Sequence, residues 1–142
     1  MPAFDFNLRD KDLLKSIALP AAASTSVVTT SIDTGNRTSR ARLLNMSAAV
    51  KVPALNATIL PNTRTATVTI EMHPDTDFGT PTTIGTKVIT GAGGVGAAAT
   101  ELQISLPTEC ERYVRAKVTF GASTTTGAAV SAEFSLRRHG AV

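Results

Sequence analysis

Along Thr65–Met72 the chain alternates with period two: Ala66, Val68, Ile70 and Met72 fall on one side, and Thr65, Thr67, Thr69 and Glu71 on the other. Successive side chains of a strand point to opposite faces, so this pattern predicts a strand with one buried and one wet face. The same alternation recurs in three later segments. Leu102, Ile104 and Leu106 alternate with Glu101, Gln103 and Ser105, and Pro107 ends the run. Val114, Ala116, Val118 and Phe120 alternate with Arg115, Lys117 and Thr119, and Val130, Ala132, Phe134 and Leu136 with Ser131, Glu133, Ser135 and Arg137.

Shorter strand signals fill the remainder. Val27–Ile32 is a β-branched run closed by the turn cluster Asp33–Asn36, and Leu43–Leu55 is apolar at Val50 and Val52. Ala57–Leu60 precedes Pro61-Asn62, and Thr83–Thr90 is centred on Ile84, Val88 and Ile89. Loops are expected at His73–Thr82, Gly91–Gly96 and Gly121–Gly127, the last joining two strands as a hairpin. Seven or eight short strands punctuated by turns predict an all-β antiparallel sandwich or barrel. No internal repeat points to a propeller or solenoid.

The start of the chain reads differently. Residues 1–24 interleave Asp5, Arg9, Asp10, Lys11, Asp12 and Lys15 with Phe4, Phe6, Leu8, Leu13 and Leu14. A short helical turn over Asp10–Ile17, capped by Asp10, fits this stretch, and Pro20 stops it. The expected organisation is therefore an N-terminal arm and linker over 1–24 and a β-sandwich domain over 25–142. Phe4 and Phe6 are the arm's candidate anchors on a partner.

Composition narrows the function. At 142 residues the chain has the size of one domain and can bury one core. Aromatic residues make up 4% with no Trp, which counts against a sugar-binding platform. The net charge of +3 is spread along the chain, so no specific nucleic-acid partner is expected. A single cysteine, Cys110, excludes an internal disulfide. No apolar run approaches the roughly 18 residues of a membrane helix and no signal pattern opens the chain, so synthesis in a reducing cytoplasm is expected.

Three patterns carry candidate chemistry. Gly91-Ala92-Gly93-Gly94-Val95-Gly96 matches G-x-G-x-x-G, but a dinucleotide site needs a helix behind it to receive the pyrophosphate. The following residues alternate as a strand, so a glycine loop is expected and no cofactor. His73, Asp75 and Asp77 share a loop that could meet a hard cation, yet a Pro- and Asp-rich turn accounts for them and no metal is expected. His73 and His139 are the only histidines, and neither forms a nucleophilic triad on sequence grounds, so no enzyme activity is expected. Arg112, Tyr113 and Arg115 open a strand as a candidate docking patch, since Tyr and Arg are enriched at interface centres.

Leu106-Pro107, Arg112-Tyr113-Val114-Arg115, the strand to Phe120, the Gly121–Gly127 turn and the small-residue strand Ala128–Leu136 resemble the capsid cement, or decoration, proteins of short-tailed bacteriophages. Ser26–Gly35 also falls in place, whereas Gly91–Ala99 has no counterpart in that pattern. The resemblance implies a jelly roll on the outer surface of the virion capsid. It implies binding to the major capsid protein at capsomer seams, as a symmetric homo-oligomer, a dimer before a trimer. The capsid contacts expected on this reading are Phe4, Phe6, Arg9, Arg112, Tyr113 and Arg115. The alternative is a receptor- or glycan-binding module of a phage tail or fibre.

Overall fold

The computed structural model describes residues 13–34, 46–107, 109–122 and 130–138. The expected contacts Phe4, Phe6 and Arg9 lie outside these residues, as do Asp10, His139 and the Gly/Thr turn from 123 on. Among the described residues nine strands run β1 (Leu14–Ala18), β2 (Ser26–Val28), β3 (Ile32–Asp33), β4 (Met46–Val52), β5 (Thr65–His73), β6 (Thr82–Thr90), β7 (Thr100–Ser105), β8 (Tyr113–Phe120) and β9 (Ser131–Arg138).

They form two antiparallel sheets. One has the order β1-β9-β4-β7; the other runs β2-β8-β5-β6, with β3 also on β8. β2 and β3 are two pieces of one strand position, interrupted at 29–31, so eight positions are occupied. The path that alternates between sheets in this order is the jelly roll, two interlocked Greek keys. Each sheet presents one apolar side inward. Met46, Ala48, Val50 and Val52 of β4 and Ala132, Phe134 and Leu136 of β9 meet Ala66, Val68 and Ile70 of β5 and Val114, Ala116, Val118 and Phe120 of β8. The alternation read from sequence is realised most cleanly in β8, where every second side chain is buried.

Four local expectations are corrected. The stretch Leu14–Ala18 is a strand rather than part of a helical turn, pairing Leu14 with Ser135 through to Ala18 with Ser131. A helix this short has too few hydrogen bonds to offset nucleation, whereas β9 supplies a ready partner. The sandwich therefore begins before residue 24, and the arm-and-linker boundary is too late.

Ala57–Leu60 is a single turn rather than a strand. Asn56 caps it, its side-chain oxygen accepting the N–H groups of Thr58 and Ile59 at 3.1 and 2.9 Å.

The run Val27–Ile32 breaks in the middle, where Thr29 is buried and tied to Ala116. Its N–H donates to the Ala116 carbonyl at 2.9 Å, and its hydroxyl accepts the Ala116 N–H at 3.0 Å. A hydroxyl that replaces a ladder carbonyl shifts the strand by a local bond and ends regular pairing.

β8 and β9 do not form a hairpin. β8 pairs with β5, and β9 with β4, so the connection between them crosses from one sheet to the other. Turn composition marks a reversal, but the jelly-roll path decides which sheet receives the next strand.

Candidate interaction surface

The candidate patch Arg112, Tyr113 and Arg115 lies where β8 begins, on the side of its sheet that faces away from the core. β3 and the 74–81 loop flank it. Register brings distant residues here: Asp33 opposes Tyr113, and Glu71 opposes Arg115. Arg112 forms a fork with Asp33, its Nε and Nη2 donating to the two carboxylate oxygens at 2.9 and 2.7 Å. That bidentate bond holds the guanidinium protonated more firmly than usual. The guanidinium also lies 5.1 Å from the centre of the Tyr113 ring.

Arg115 is built into a tighter cluster. Its Nε donates to Glu71 Oε2 at 3.0 Å while its guanidinium stacks 4.1 Å over Phe78. Lys117 Nζ lies 3.9 Å from the other Glu71 oxygen. Glu71 is only 5% exposed, so a carboxylate on the nominally wet face of β5 is in fact enclosed by two cations. Phe78 backs Arg115 through that stack. It sits at φ 49°, a left-handed conformation rare for a bulky residue, and is itself buried with His73 5.5 Å away, ring to ring. An open groove of about 270 Å³ borders the cluster, lined by Thr29, Thr30, Ser31, Thr76, Phe78 and Arg115.

Sequence reading found Arg112, Tyr113 and Arg115, and the structure brings them together. It missed Asp33, Glu71 and Phe78, which hold the two arginines in place. Asp33 had been assigned to a turn and Glu71 to solvent. Their roles follow from strand register, for which one chain carries no local signal.

The remaining candidates lie in or beside loops. His73, Asp75 and Asp77 do converge, with one donor atom from each within 4.8 Å of the others. His73 Nδ1 lies 3.0 Å from the Asp75 amide nitrogen and 3.5 Å from Asp77 Oδ1, and Asp77 Oδ1 accepts the Gly79 N–H at 3.1 Å. These bonds shape the β5–β6 loop. Cys110 is 2% exposed, and burial pushes its thiol up to about 11, the opposite of an activated nucleophile.

The Gly91–Gly96 loop is followed by β7, and no helix stands behind it. Its glycines instead allow close approach to the 55–64 segment. A Cβ at Gly91 would lie 2.2 Å from the Pro61 carbonyl oxygen, and one at Gly96 2.0 Å from that of Leu55. The loop closes on itself through the Ala92–Gly96 bridge and joins the 55–64 segment through Leu55 and Ala97.

No protein-family model matches the chain, and no curated protein matches it by sequence. Solved structures do align with it over most of its length. The PBSX exported protein XepA superimposes with a TM-score of 0.55 at 18% identity, over 89% of this chain. This chain spans 36% of that protein's length. A protein of the disulfide-linked Bacillus endospore appendages gives 0.44 at 11% identity, over 88% of this chain and 85% of that one. The Clostridium thermocellum xylanase 10B module pair gives 0.38 at 14% identity, over 91% of this chain and 26% of that one. The all-β sandwich is shown by the two sheets themselves, and the XepA likeness is one of fold alone.

Proposed function

We propose that this chain is a non-catalytic structural protein of a phage virion, a cement protein that binds the major capsid protein on the outer surface of the head. The observation that carries this reading is the preorganised patch at the start of β8. Arg112, Tyr113 and Arg115, the core of the cement-protein resemblance, stand together on one sheet face. Each arginine is locked by a carboxylate and an aromatic ring. A surface whose charged side chains are already ordered loses little entropy when a partner docks. A stiff two-sheet sandwich is a suitable clamp across a seam, and repetition over a shell makes modest affinity effective. The sandwich shared with XepA is compatible with this role and does not specify it.

The rival glycan-binding reading has the hydroxyl-lined groove in its favour. Phe78, the aromatic residue there, has its face covered by Arg115 and offers no platform for a sugar ring. The deciding experiment is cosedimentation with phage heads that lack this protein, with stoichiometry read from the pellet. Saturable binding at a fixed ratio to the major capsid protein, weakened at least tenfold by Arg112→Glu or Tyr113→Ala, is expected. A folded protein that never pellets with heads overturns the proposal, and binding on a glycan array would then favour the rival.

A further inference from the structure

A sandwich has open edges, and natural proteins blunt them with breaks, charges or short strands. Among the described residues the two sheets end in four edges, and three of them are blunted. The β2/β3 edge is interrupted at 29–31, β1 is five residues long with Lys15 in it, and β7 is six residues long with Glu101 in it. β6 is different: nine residues, Thr82–Thr90, with no proline and one charge, Lys87. Lys87 Nζ donates to the Glu101 carbonyl at 3.2 Å, so its charge leans onto β7 rather than guarding the edge. Val88, the seventh of its nine residues, is 55% exposed.

The backbone of this edge has a definite parity. The Gly91 N–H donates to the Arg64 carbonyl at 2.8 Å, and the Gly121 N–H to the Thr65 carbonyl at 2.9 Å. The second bond turns Thr65 toward β8, so its neighbours Arg64 and Ala66 face β6. Through the observed register, Ile89 and Lys87 then bond to β5, and the N–H and C=O groups of Thr86, Val88 and Thr90 point outward.

The sequence over that stretch reads nearly the same in both directions: Gly85-Thr86-Lys87-Val88-Ile89-Thr90-Gly91. Antiparallel pairing with a second copy about Val88 sets Gly85 opposite Gly91, Thr86 opposite Thr90, Lys87 opposite Ile89, and Val88 opposite itself. The three outward residues meet three outward residues, so Val88–Val88 and the two Thr86–Thr90 pairs are of the hydrogen-bonded kind, about six bonds in all, and the Lys87–Ile89 pairs between them are of the non-hydrogen-bonded kind. Thr–Thr and Val–Val are favourable cross-strand pairs, and no like charges stand opposite one another.

We propose that the protein forms a two-fold homodimer in which β6 of one copy pairs with β6 of another, centred on Val88, to make one continuous ten-stranded sheet. The inference rests on the edge alone and is independent of the capsid reading.

The test is molar mass by sedimentation equilibrium of the full chain from micromolar to millimolar concentration. The expected result is a concentration-dependent mass reaching twice 14.7 kDa. Val88→Pro removes an outward N–H that the chain's own ladder does not use, which an edge strand tolerates. It should abolish the dimer while leaving the circular dichroism spectrum and melting curve intact. A separate Val88→Cys variant, carrying Cys110→Ala, places two thiols across the axis. A hydrogen-bonded pair has a Cα separation of about 5.5 Å, within disulfide range. It should form a covalent dimer under mild oxidation, and Val95→Cys in the same background should not. A wild type monomeric at millimolar concentration overturns the proposal. So does a dimer that survives Val88→Pro, or one that Val88→Cys fails to crosslink. Head binding by Val88→Pro, read in the cosedimentation assay, separates failure of the dimer from failure of the capsid role.

Discussion

Replacing Gly96 by alanine tests whether the glycine loop is there to let two backbones touch. Gly96 has φ +83°, and an added Cβ would sit 2.0 Å from the Leu55 carbonyl oxygen and 2.5 Å from the Asn56 carbonyl carbon. These are main-chain atoms that cannot rotate away. The Leu55 carbonyl also accepts the Ala97 N–H at 2.8 Å, and the Leu55 N–H donates to the Ala97 carbonyl at 2.9 Å. Moving it therefore strains the bridge between the loop and the 55–64 segment.

The left-handed backbone costs a non-glycine residue about 1–2 kcal/mol. Overpacking against a fixed neighbour adds about 1–3 kcal/mol. Gly96→Ala should thus destabilise by about 2–5 kcal/mol. Two neighbours separate the terms. Gly94 has φ +75° with nothing within 4 Å of its Cβ position, so Gly94→Ala should lose only the conformational part, about 1–2 kcal/mol. At Gly93 the nearest atom is 3.7 Å away, an ordinary contact, and Gly93→Ala should stay within about 0.5 kcal/mol. Urea unfolding followed by circular dichroism reads all three. If Gly96→Ala and Gly94→Ala unfold at the same midpoint, the close approach contributes nothing and the reasoning is wrong.

Two other predictions follow from single sites. In a double-mutant cycle on Glu71 and Arg115, each changed to Ala, the coupling should be about 1–3 kcal/mol, because Arg115→Ala leaves the buried Glu71 carboxylate with only Lys117, 3.9 Å away. Additive losses would show that burial of Glu71 does not strengthen the pair. Cys110 gives a pH dependence: its folded thiol lies at about 11 against 9.0 for the ordinary group. Stability from this site is complete below pH 9 and is lost as pH rises toward 11, by roughly 2–3 kcal/mol. Unfolding midpoints measured on both sides of that window should fall more steeply for the wild type than for Cys110→Ala, and parallel curves would refute the assignment.

Period-two alternation settled the class of this protein and the inward faces of β5, β8 and β9. A side chain buried on one side of a strand leaves its mark locally, at every second position, whatever the strand pairs with. Turn residues likewise located the ends of β7 and β8, since proline and glycine act on their own backbone. The arginine–tyrosine patch was visible for the same reason, as three residues of two telling types within four positions.

What only the tertiary structure decided is pairing. Nothing in Gly121–Gly127 says that β9 joins the opposite sheet, because a reversal of the chain is compatible with either destination. Leu14–Ala18 became a strand because β9 had an open edge to receive it. Glu71 carries the alternation of a solvent-facing residue, yet Arg115 from a strand 44 residues away, itself stacked on Phe78 of the next loop, covers it. Val88 reads as a core residue by type and lies exposed because register sets it opposite Thr67, on the face turned away from the core, while Ile89 beside it is buried. Each of these outcomes depends on long-range register, which sums contacts from segments far apart in the chain and has no period of its own.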